Sequence, residues 1–485
     1  MKVVIMAGGK GSRIASVKSD VPKPMIEICG KPILQYQIEN LRQCGLRNIT
    51  LVIGHLGHVI QEFFGDGNRF GVNITYFVEE HPLGTAGALF QMPELTEDFL
   101  LLCGDVMLDV DFNRFIQFHQ EHDAWASLMV HPNGHPFDSS LLVTEILPPQ
   151  ESGGMPVETQ RVLQWMNKED ERTYYRNCVN AGIEIISPKL LKIVYETLCN
   201  DYETLCNDYD TLALRKRYAD ATKAAENDDE NTCITKAETM VVERNVVQRP
   251  EAKRIVKIDL DRDVLKPNIK TGKIFAYHTP EYIKDMGTPE RFYETEKDIL
   301  NGKPAARNLK NKQKAIFLDR DGTVNIKKGF LTKAEDMELI DGAAEAIRLI
   351  NLSEYLAIVV TNQPQIARGD CSFEELQLIH DKMETDLGKH GAFVDAIYYC
   401  PHHTDKGFPG ERIEYKCNCD CRKPKPGLLM QAAQDFNIDL SQSYMIGDND
   451  NDVKAGEAAG CQQVCLIETN QKDALLNMVK QILNG

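Results

Sequence analysis

Met1-Lys2-Val3-Val4-Ile5-Met6-Ala7-Gly8-Gly9-Lys10-Gly11-Ser12-Arg13 opens the chain with a short apolar run that passes directly into a glycine-rich turn. Such a run, ended by glycine, predicts a buried strand followed by a loop whose backbone N–H groups can approach a polyphosphate. Arg13 and, further on, Lys23 can offset the phosphate charge. Comparable runs recur at 49–53, 74–78 and 99–103 with helical patterns between them, which predicts parallel strands joined by crossover helices. The pattern restarts at Ala315-Ile316-Phe317-Leu318-Asp319-Arg320-Asp321-Gly322-Thr323 and continues at 356–360, 396–399 and 444–446. The restart predicts two α/β domains, 1–300 and 314–485, joined by the basic, polar linker 301–313.

A chain of 485 residues has room for two or three domains at roughly 150 residues each. Hydrophobic residues at 42% and charged residues at 26% are enough for packed cores. A formal charge of −17 argues against a nucleic-acid surface, so the expected partners are small anions that a metal ion chelates. No apolar run approaches the roughly eighteen residues of a membrane span. The first residues do not form a secretory leader. The expected location is cytoplasmic, and the fourteen cysteines are read as reduced thiols and metal ligands rather than a disulfide framework. A homo-oligomer is compatible with this composition. Within the first domain, at about 195–250, Tyr195–Asp201 (YETLCND) repeats at once as Tyr202–Asp208, which reads as a duplicated surface helix in an insert.

The glycine loop with Pro22-Lys23-Pro24-Met25 downstream resembles the sugar-phosphate nucleotidyltransferases, whose signature is GGxGTRL followed by PKPM. The resemblance implies a Rossmann-like, nucleotide-diphospho-sugar transferase fold. It also implies nucleotide contacts from Gly8, Gly9, Gly11 and Ser12, and catalytic roles for Arg13 and Lys23. The loop with Gly84 and Thr85 would surround base and sugar, and the Asn180-Ala181-Gly182-Ile183 element would supply Asn180 and Gly182 to the sugar. Asp105 and the Asp285 of Asp285-Met286-Gly287-Thr288-Pro289 would hold Mg²⁺, because an ion on the α-phosphate needs hard oxygen ligands. Three departures stand out: Ser12 for threonine, Ile14 for leucine, and Asn167-Lys168 where many members carry Glu-Lys. Lys168 can still meet phosphate, whereas the sugar loses a carboxylate at position 167.

In the second domain, Asp319-Arg320-Asp321-Gly322-Thr323, Thr361-Asn362-Gln363, Arg422-Lys423-Pro424 and Gly447-Asp448-Asn449-Asp450-Asn451-Asp452 occur in that order. The set resembles the haloacid dehalogenase phosphatases, here without sequence for a large cap. That resemblance implies Asp319 as nucleophile, Asp321 as acid and base, and Thr361 and Lys423 on the phosphoryl group. Asp319, Asp321 and Asp448 would lie at Mg²⁺, Asp452 would support them, and Asn362, Gln363, Arg368 and Arg422 would be further substrate contacts. Cys400-Pro401-His402-His403 and Cys417-Asn418-Cys419-Asp420-Cys421 (zinc loop 400–421) offer thiolates and imidazoles for a closed tetrahedral site. They resemble the CPHH and CDCRKP of the D-glycero-D-manno-heptose bisphosphate phosphatases, which implies structural Zn²⁺ on Cys400, His402, Cys419 and Cys421.

Together the resemblances imply two consecutive reactions. A heptose 1,7-bisphosphate loses its 7-phosphate, and the resulting 1-phosphate takes a nucleotidyl group, GMP favoured, from a nucleoside triphosphate with release of pyrophosphate. The alternative pairs a phosphatase for histidinol phosphate or another small ester with a mannose or glucose 1-phosphate nucleotidyltransferase. A degenerate sensor of sugar nucleotides would need damaged catalytic positions, and the aspartates of both motifs are intact.

Overall fold

The computed structural model describes residues 1–8, 21–92, 94–149, 153–201 and 257–484. The chain forms two α/β units, as its alternating pattern predicts. In the first, β1 (Lys2–Met6) is followed by the ribbon β2 (Glu27–Ile28) and β3 (Lys31–Pro32), then β4 (Asn48–Ile53), β5 (Asn73–Val78), β6 (Phe99–Cys103) and β7 (Val106–Asp109). After these come β8 (Ala126–His131), β9 (Leu141–Leu147), β10 (Val157–Met166), β11 (Val179–Ile186), β12 (Ile274–His278) and β13 (Tyr282–Asp285). Nine of them build one sheet in the order β5-β4-β1-β6-β11-β8-β12-β10-β9, while β13 pairs with β7 apart from it. The pairs β5–β4, β4–β1 and β1–β6 are parallel, and β11 runs antiparallel to β6. Val3, Val4 and Ile5 are fully buried, as a central strand covered on both faces requires.

The second unit has β14 (Lys314–Leu318), β15 (Tyr355–Asn362), β16 (Ala396–Cys400), β17 (Tyr444–Gly447) and β18 (Gln463–Leu466). All pairs are parallel in the order β16-β15-β14-β17-β18. The strand order reverses beside β14, the position at which open α/β sheets form a ligand crevice at their carboxyl ends. Between β14 and the helix Ala343–Leu352 there is only the single turn Ala334–Asp336, so no large cap intervenes.

Residues 301–313, read from the sequence as a linker, are packed between the units. Lys303–Arg307 is helical, and Arg307, Asn308, Leu309 and Gln313 are buried. Arg307 pairs with Asp395 at 3.3 Å, Asn308 donates to Asp109 at 2.7 Å, and the Leu309 N–H donates to Glu281 at 2.9 Å. The polar composition that suggested a linker is satisfied by partners from both domains. The helix Pro188–Asp201 contains the first copy of the duplicated heptad, and the second copy lies outside the described residues, as does most of the expected insert.

The helix Phe373–Lys389 of the second unit docks on the segment before β11. Thr385 accepts the Tyr175 N–H at 2.9 Å and donates to the Tyr175 carbonyl at 3.3 Å. Burial pushes the nearby Glu384 carboxyl up to about 8 against the pull of Arg176, with Asp381 adding to the rise. Between its ordinary unfolded value and pH 8, Glu384 is protonated in the fold and ionised in the unfolded chain, so its contribution to stability falls as pH rises through that window. Glu384→Gln should remove this linkage and raise the melting temperature at pH 8 by about 2 °C or more relative to its effect at pH 5. Melting curves of both proteins at the two pH values check this, and a shift equal at both would contradict it.

Candidate functional sites

The first candidate site lies where β1 and β6 end side by side. The Gly104 N–H donates to the Met6 carbonyl at 3.0 Å, which sets Asp105 next to the start of the glycine loop. Lys23, in the one-turn helix Lys23–Met25, donates to Asp105 Oδ2 at 2.5 Å. The antiparallel pairing of β13 with β7 places Asp285 opposite Val106, the residue after Asp105. Asp285 accepts from the Gly287 N–H at 2.8 Å and from Arg291 at 2.5 Å, and Arg291 also reaches Asp138 at 2.7 Å. Asp105 and Asp285 line one cavity of about 750 Å³ together with Thr85, Asn180 and Gly182.

Gly8 lies against Glu79 and Gly54, while Gly9, Gly11, Ser12 and Arg13 fall outside the described residues. Gly84 packs on the Ile258 carbonyl. Thr85 accepts the Leu260 N–H at 2.7 Å and donates to Asp259 at 3.2 Å. The structure does not bring Lys168 to this cavity. Its side chain is 56% exposed, with Glu169 at 3.7 Å. Asn167 is held outside as well, accepting from Lys266 and donating to Asp170.

Part of the cavity wall comes from the second unit: Arg348 and Asn351 of the helix Ala343–Leu352, and His390 and Phe393 ahead of β16. These residues sit at the amino ends of the second sheet. Its own candidate centre is at the opposite, carboxyl ends.

There, Asp319 follows β14 and its N–H donates to the Ile446 carbonyl of β17 at 2.9 Å. Lys423, only 3% exposed, bridges Asp319 at 2.7 Å and Asp452 at 2.6 Å, and donates to the Val360 carbonyl at 2.8 Å. Burial raises Asp319 to about 6 against the attraction of Lys423, with Asp452 and Asp321 adding to the rise. Asn362 clamps Lys423 from both sides, donating to its carbonyl and accepting from its N–H, both at 3.0 Å. A side chain at Gly447 would meet Asp452 Cβ at 2.4 Å. Glycine there lets the helix Asp450–Ala459 bring Asp452 in.

Oxygens of Asp319, Asp448 and Asp452 converge within 4.8 Å of one another. Asp319 and Asp448 are two of the residues expected at the metal, and the carboxylate of Asp321, the third, is held by other partners. Asp321 accepts from Arg320 at 2.8 Å, from Gln363 at 3.0 Å and from Asn325 at 3.1 Å. Burial alone would raise Asp321, but Arg320 and these donors hold it below the usual carboxylate range. Thr361 accepts from Gln363 at 2.8 Å. Three residues here were not singled out from sequence. Arg320 is fully buried and donates to His380 at 3.1 Å, and Lys327 reaches Asp448 at 3.0 Å. Arg320 could have been noticed from its place between two motif aspartates, whereas nothing in the local sequence singles out Lys327 or His380.

Arg368 lies between the rings of Phe330 and Phe408, at 4.8 and 4.1 Å from their centroids, at the edge of the zinc loop. In that loop Cys400, His402, Cys419 and Cys421 are buried together. Cys400 Sγ is 3.5 Å from Cys419 Sγ and 3.6 Å from His402 Nδ1. Cys421 Sγ is 3.3 Å from Cys419 Sγ and 3.5 Å from His402 Nδ1. These edges approach the roughly 3.6–3.8 Å expected of a tetrahedron around zinc. His403 turns toward Asp405 instead, accepting its N–H at 3.1 Å. Arg422 donates to the His402 carbonyl at 2.9 Å.

Residues 2–302 match the family described as Nucleotidyl transferase, and residues 420–478 match a HAD-hydrolase-like family. The D-glycero-beta-D-manno-heptose-1,7-bisphosphate 7-phosphatase of Pasteurella multocida is 44% identical over 160 residues, covering 33% of this chain and 84% of that protein. The Escherichia coli protein of the same name is 39% identical over 157 residues, covering 32% and 80%. Among solved structures, the D,D-heptose 1,7-bisphosphate phosphatase of B. bronchiseptica, complexed with magnesium and phosphate, is 31% identical. It covers 36% of this chain and 99% of that one, with a TM-score of 0.31. HddC from Yersinia pseudotuberculosis complexed with GMP-PN is 22% identical and covers 61% and 99%, with a TM-score of 0.40.

Proposed function

Since the chain belongs to the nucleotidyl transferase family through residues 2–302 and to the HAD-type phosphatases through its last third, and is thus a bifunctional enzyme, we propose that it converts a D-glycero-D-manno-heptose 1,7-bisphosphate into a nucleotide-activated heptose. The second domain removes the 7-phosphate, and the first transfers a nucleotidyl group, GMP favoured, to the remaining 1-phosphate. The observation that carries this reading is that one chain holds two separate lysine–carboxylate centres at strand ends, Lys423 with Asp319 and Lys23 with Asp105. The relatives' names supply the heptose.

In the phosphatase centre Asp319 attacks phosphorus, and the sugar oxygen leaves with a proton from Asp321 as the aspartyl-phosphate forms. Asp321 then takes a proton from the water that hydrolyses the intermediate. Arg320 keeps Asp321 ionised in the free enzyme, which suits the second step, and the charge of the bound phosphate favours the protonated form needed in the first. Lys423 and Thr361 neutralise and orient the phosphoryl oxygens, and Asn362 fixes Lys423 in place. The oxygens of Asp319, Asp448 and Asp452 fit a hard divalent cation, and Mg²⁺ bound there would offset the repulsion between carboxylate and phosphate.

In the transferase centre Lys23 and Arg13 balance the triphosphate charge. Asp105 and Asp285 are the carboxylates that would hold Mg²⁺, and the 1-phosphate oxygen attacks the α-phosphorus in line. The test is incubation with the α and β bisphosphates and each of the four nucleoside triphosphates, followed by mass analysis. A nucleoside diphosphate heptose supports the reading, and conversion of histidinol phosphate with mannose 1-phosphate in its place would replace it.

Zn²⁺ on Cys400, His402, Cys419 and Cys421 would fill a closed coordination shell and so act structurally. Its loop leads into Arg422 and Lys423 and lies against Gly153 of the first domain, where a Cβ would stand 3.7 Å from Cys417 Sγ and Cys419 Cβ. Cys419→Ser should therefore lower zinc content and weaken phosphate release at least about tenfold through the displaced cations. Elemental analysis with release kinetics decides it: full zinc occupancy would refute the ligand set, and normal kinetics without zinc would refute the organising role.

A further inference from the structure

Besides Asp105 and Asp285, the transferase cavity is lined by two further carboxyls. Glu184, 2% exposed, lines it from β11, and Asp261 lines it from the turn Leu260–Leu265. A bulge lies just ahead of Glu184. Asn180 pairs with Val130 and Glu184 with Leu128, so four residues of β11 span two of β8. Gly182, at φ 68°, sits in the bulge and its N–H donates to Asn180 at 3.3 Å. Bulges of this kind re-aim side chains beside active sites.

Burial pushes Glu184 well above the carboxylate range, with Asp261 adding to the rise and a hydrogen bond from Asn180 opposing it. Burial raises Asp261 to about 6, with Asp259 adding to it. The cavity wall therefore carries Asp105, to which Lys23 is bonded, and Asp285, together with two further carboxyls, Glu184 and Asp261. Sugar hydroxyls, which both donate and accept, suit these last two. Asn167 is bonded to Lys266 and Asp170 away from the cavity and so offers it no contact.

We propose that Glu184 and Asp261 are specificity-determining residues that bind the ring hydroxyls of the sugar 1-phosphate. The proposal rests on the transferase reading of this cavity. It assigns hydroxyl binding to β11 and the 257–265 segment, and leaves the phosphate to Lys23 and Asp105.

The test uses the full-length protein with Mg²⁺, GTP and D-glycero-D-manno-heptose 1-phosphate. Glu184→Leu keeps the bulk and removes the hydrogen-bonding groups. It should raise KM for the sugar phosphate at least about tenfold while KM for GTP stays within about twofold. Glu184→Gln restores an acceptor and a donor and should recover most of that loss. Asp261→Asn, at a partly exposed position that tolerates substitution, should shift the sugar KM in the same direction. An unchanged KM for GTP and a melting curve like that of the wild type report that the first domain of each variant is folded. Unchanged sugar KM in both Glu184→Leu and Asp261→Asn, or equal changes in both KM values, would overturn the proposal. A wild-type protein that transfers no nucleotide to any sugar 1-phosphate would instead remove the transferase reading itself.

Discussion

Asp319→Asn should lower phosphate release at least about a thousandfold, since the amide cannot form the acyl-phosphate bond that divides the reaction into two steps. The substitution changes little in shape, and Lys423 keeps its second carboxylate, Asp452, at 2.6 Å. The loss should therefore be chemical, with the domain still folded. Transfer to supplied heptose 1-phosphate should remain within about twofold. The transferase cavity touches the second domain at Arg348 and His390, at the amino ends of its sheet, whereas Asp319 follows the carboxyl end of β14. A strand of this length separates the two by about 17 Å. Phosphate-release and pyrophosphate-release assays on the purified variant check this, and equal loss of both activities in a folded protein would contradict two independent centres.

Asp105→Asn should lower nucleotidyl transfer at least about a hundredfold and leave phosphate release intact. The carboxylate is the partner of Lys23 at 2.5 Å, and β13–β7 pairing brings Asp285 beside it. With one of the two oxygen donors neutralised, both the cation site and the set of the lysine are lost together. A coupled assay started from the bisphosphate should then accumulate heptose 1-phosphate with GTP unspent. Continued formation of nucleotide sugar would remove Asp105 from the centre.

The parts of these sites that could be read from sequence are those fixed by strand ends. The run 315–318 predicts β14, and with it the placement of Asp319. The runs at 356–360 and 444–446 likewise place Thr361 and Asp448 at neighbouring carboxyl ends. The four zinc-loop side chains come together because two short pairs bracket one loop. What could not be read depends on contacts distant in sequence. Asp321 is bonded to Arg320 and Gln363, and Asp452 lies beside Asp319 and Asp448. Lys168 points to solvent, since Asn167 beside it is tied to Lys266 and Asp170. The linker's polar residues are buried by partners more than eighty residues away, such as Asp109 and Asp395. Glu184 lines a cavity whose other walls come from segments distant in sequence, such as Asp261 and Asp285, which the strand's own pattern does not reveal.

The central claim, that the two domains catalyse consecutive steps on one sugar, is tested most directly by a time course of the full-length protein with the heptose 1,7-bisphosphate, GTP and Mg²⁺, following phosphate and pyrophosphate together. The account predicts phosphate first, then pyrophosphate, with one of each released for every nucleotide sugar formed. Pyrophosphate ahead of phosphate, or bisphosphate fully dephosphorylated at position 7 with no nucleotide sugar from any of the four triphosphates, would contradict it.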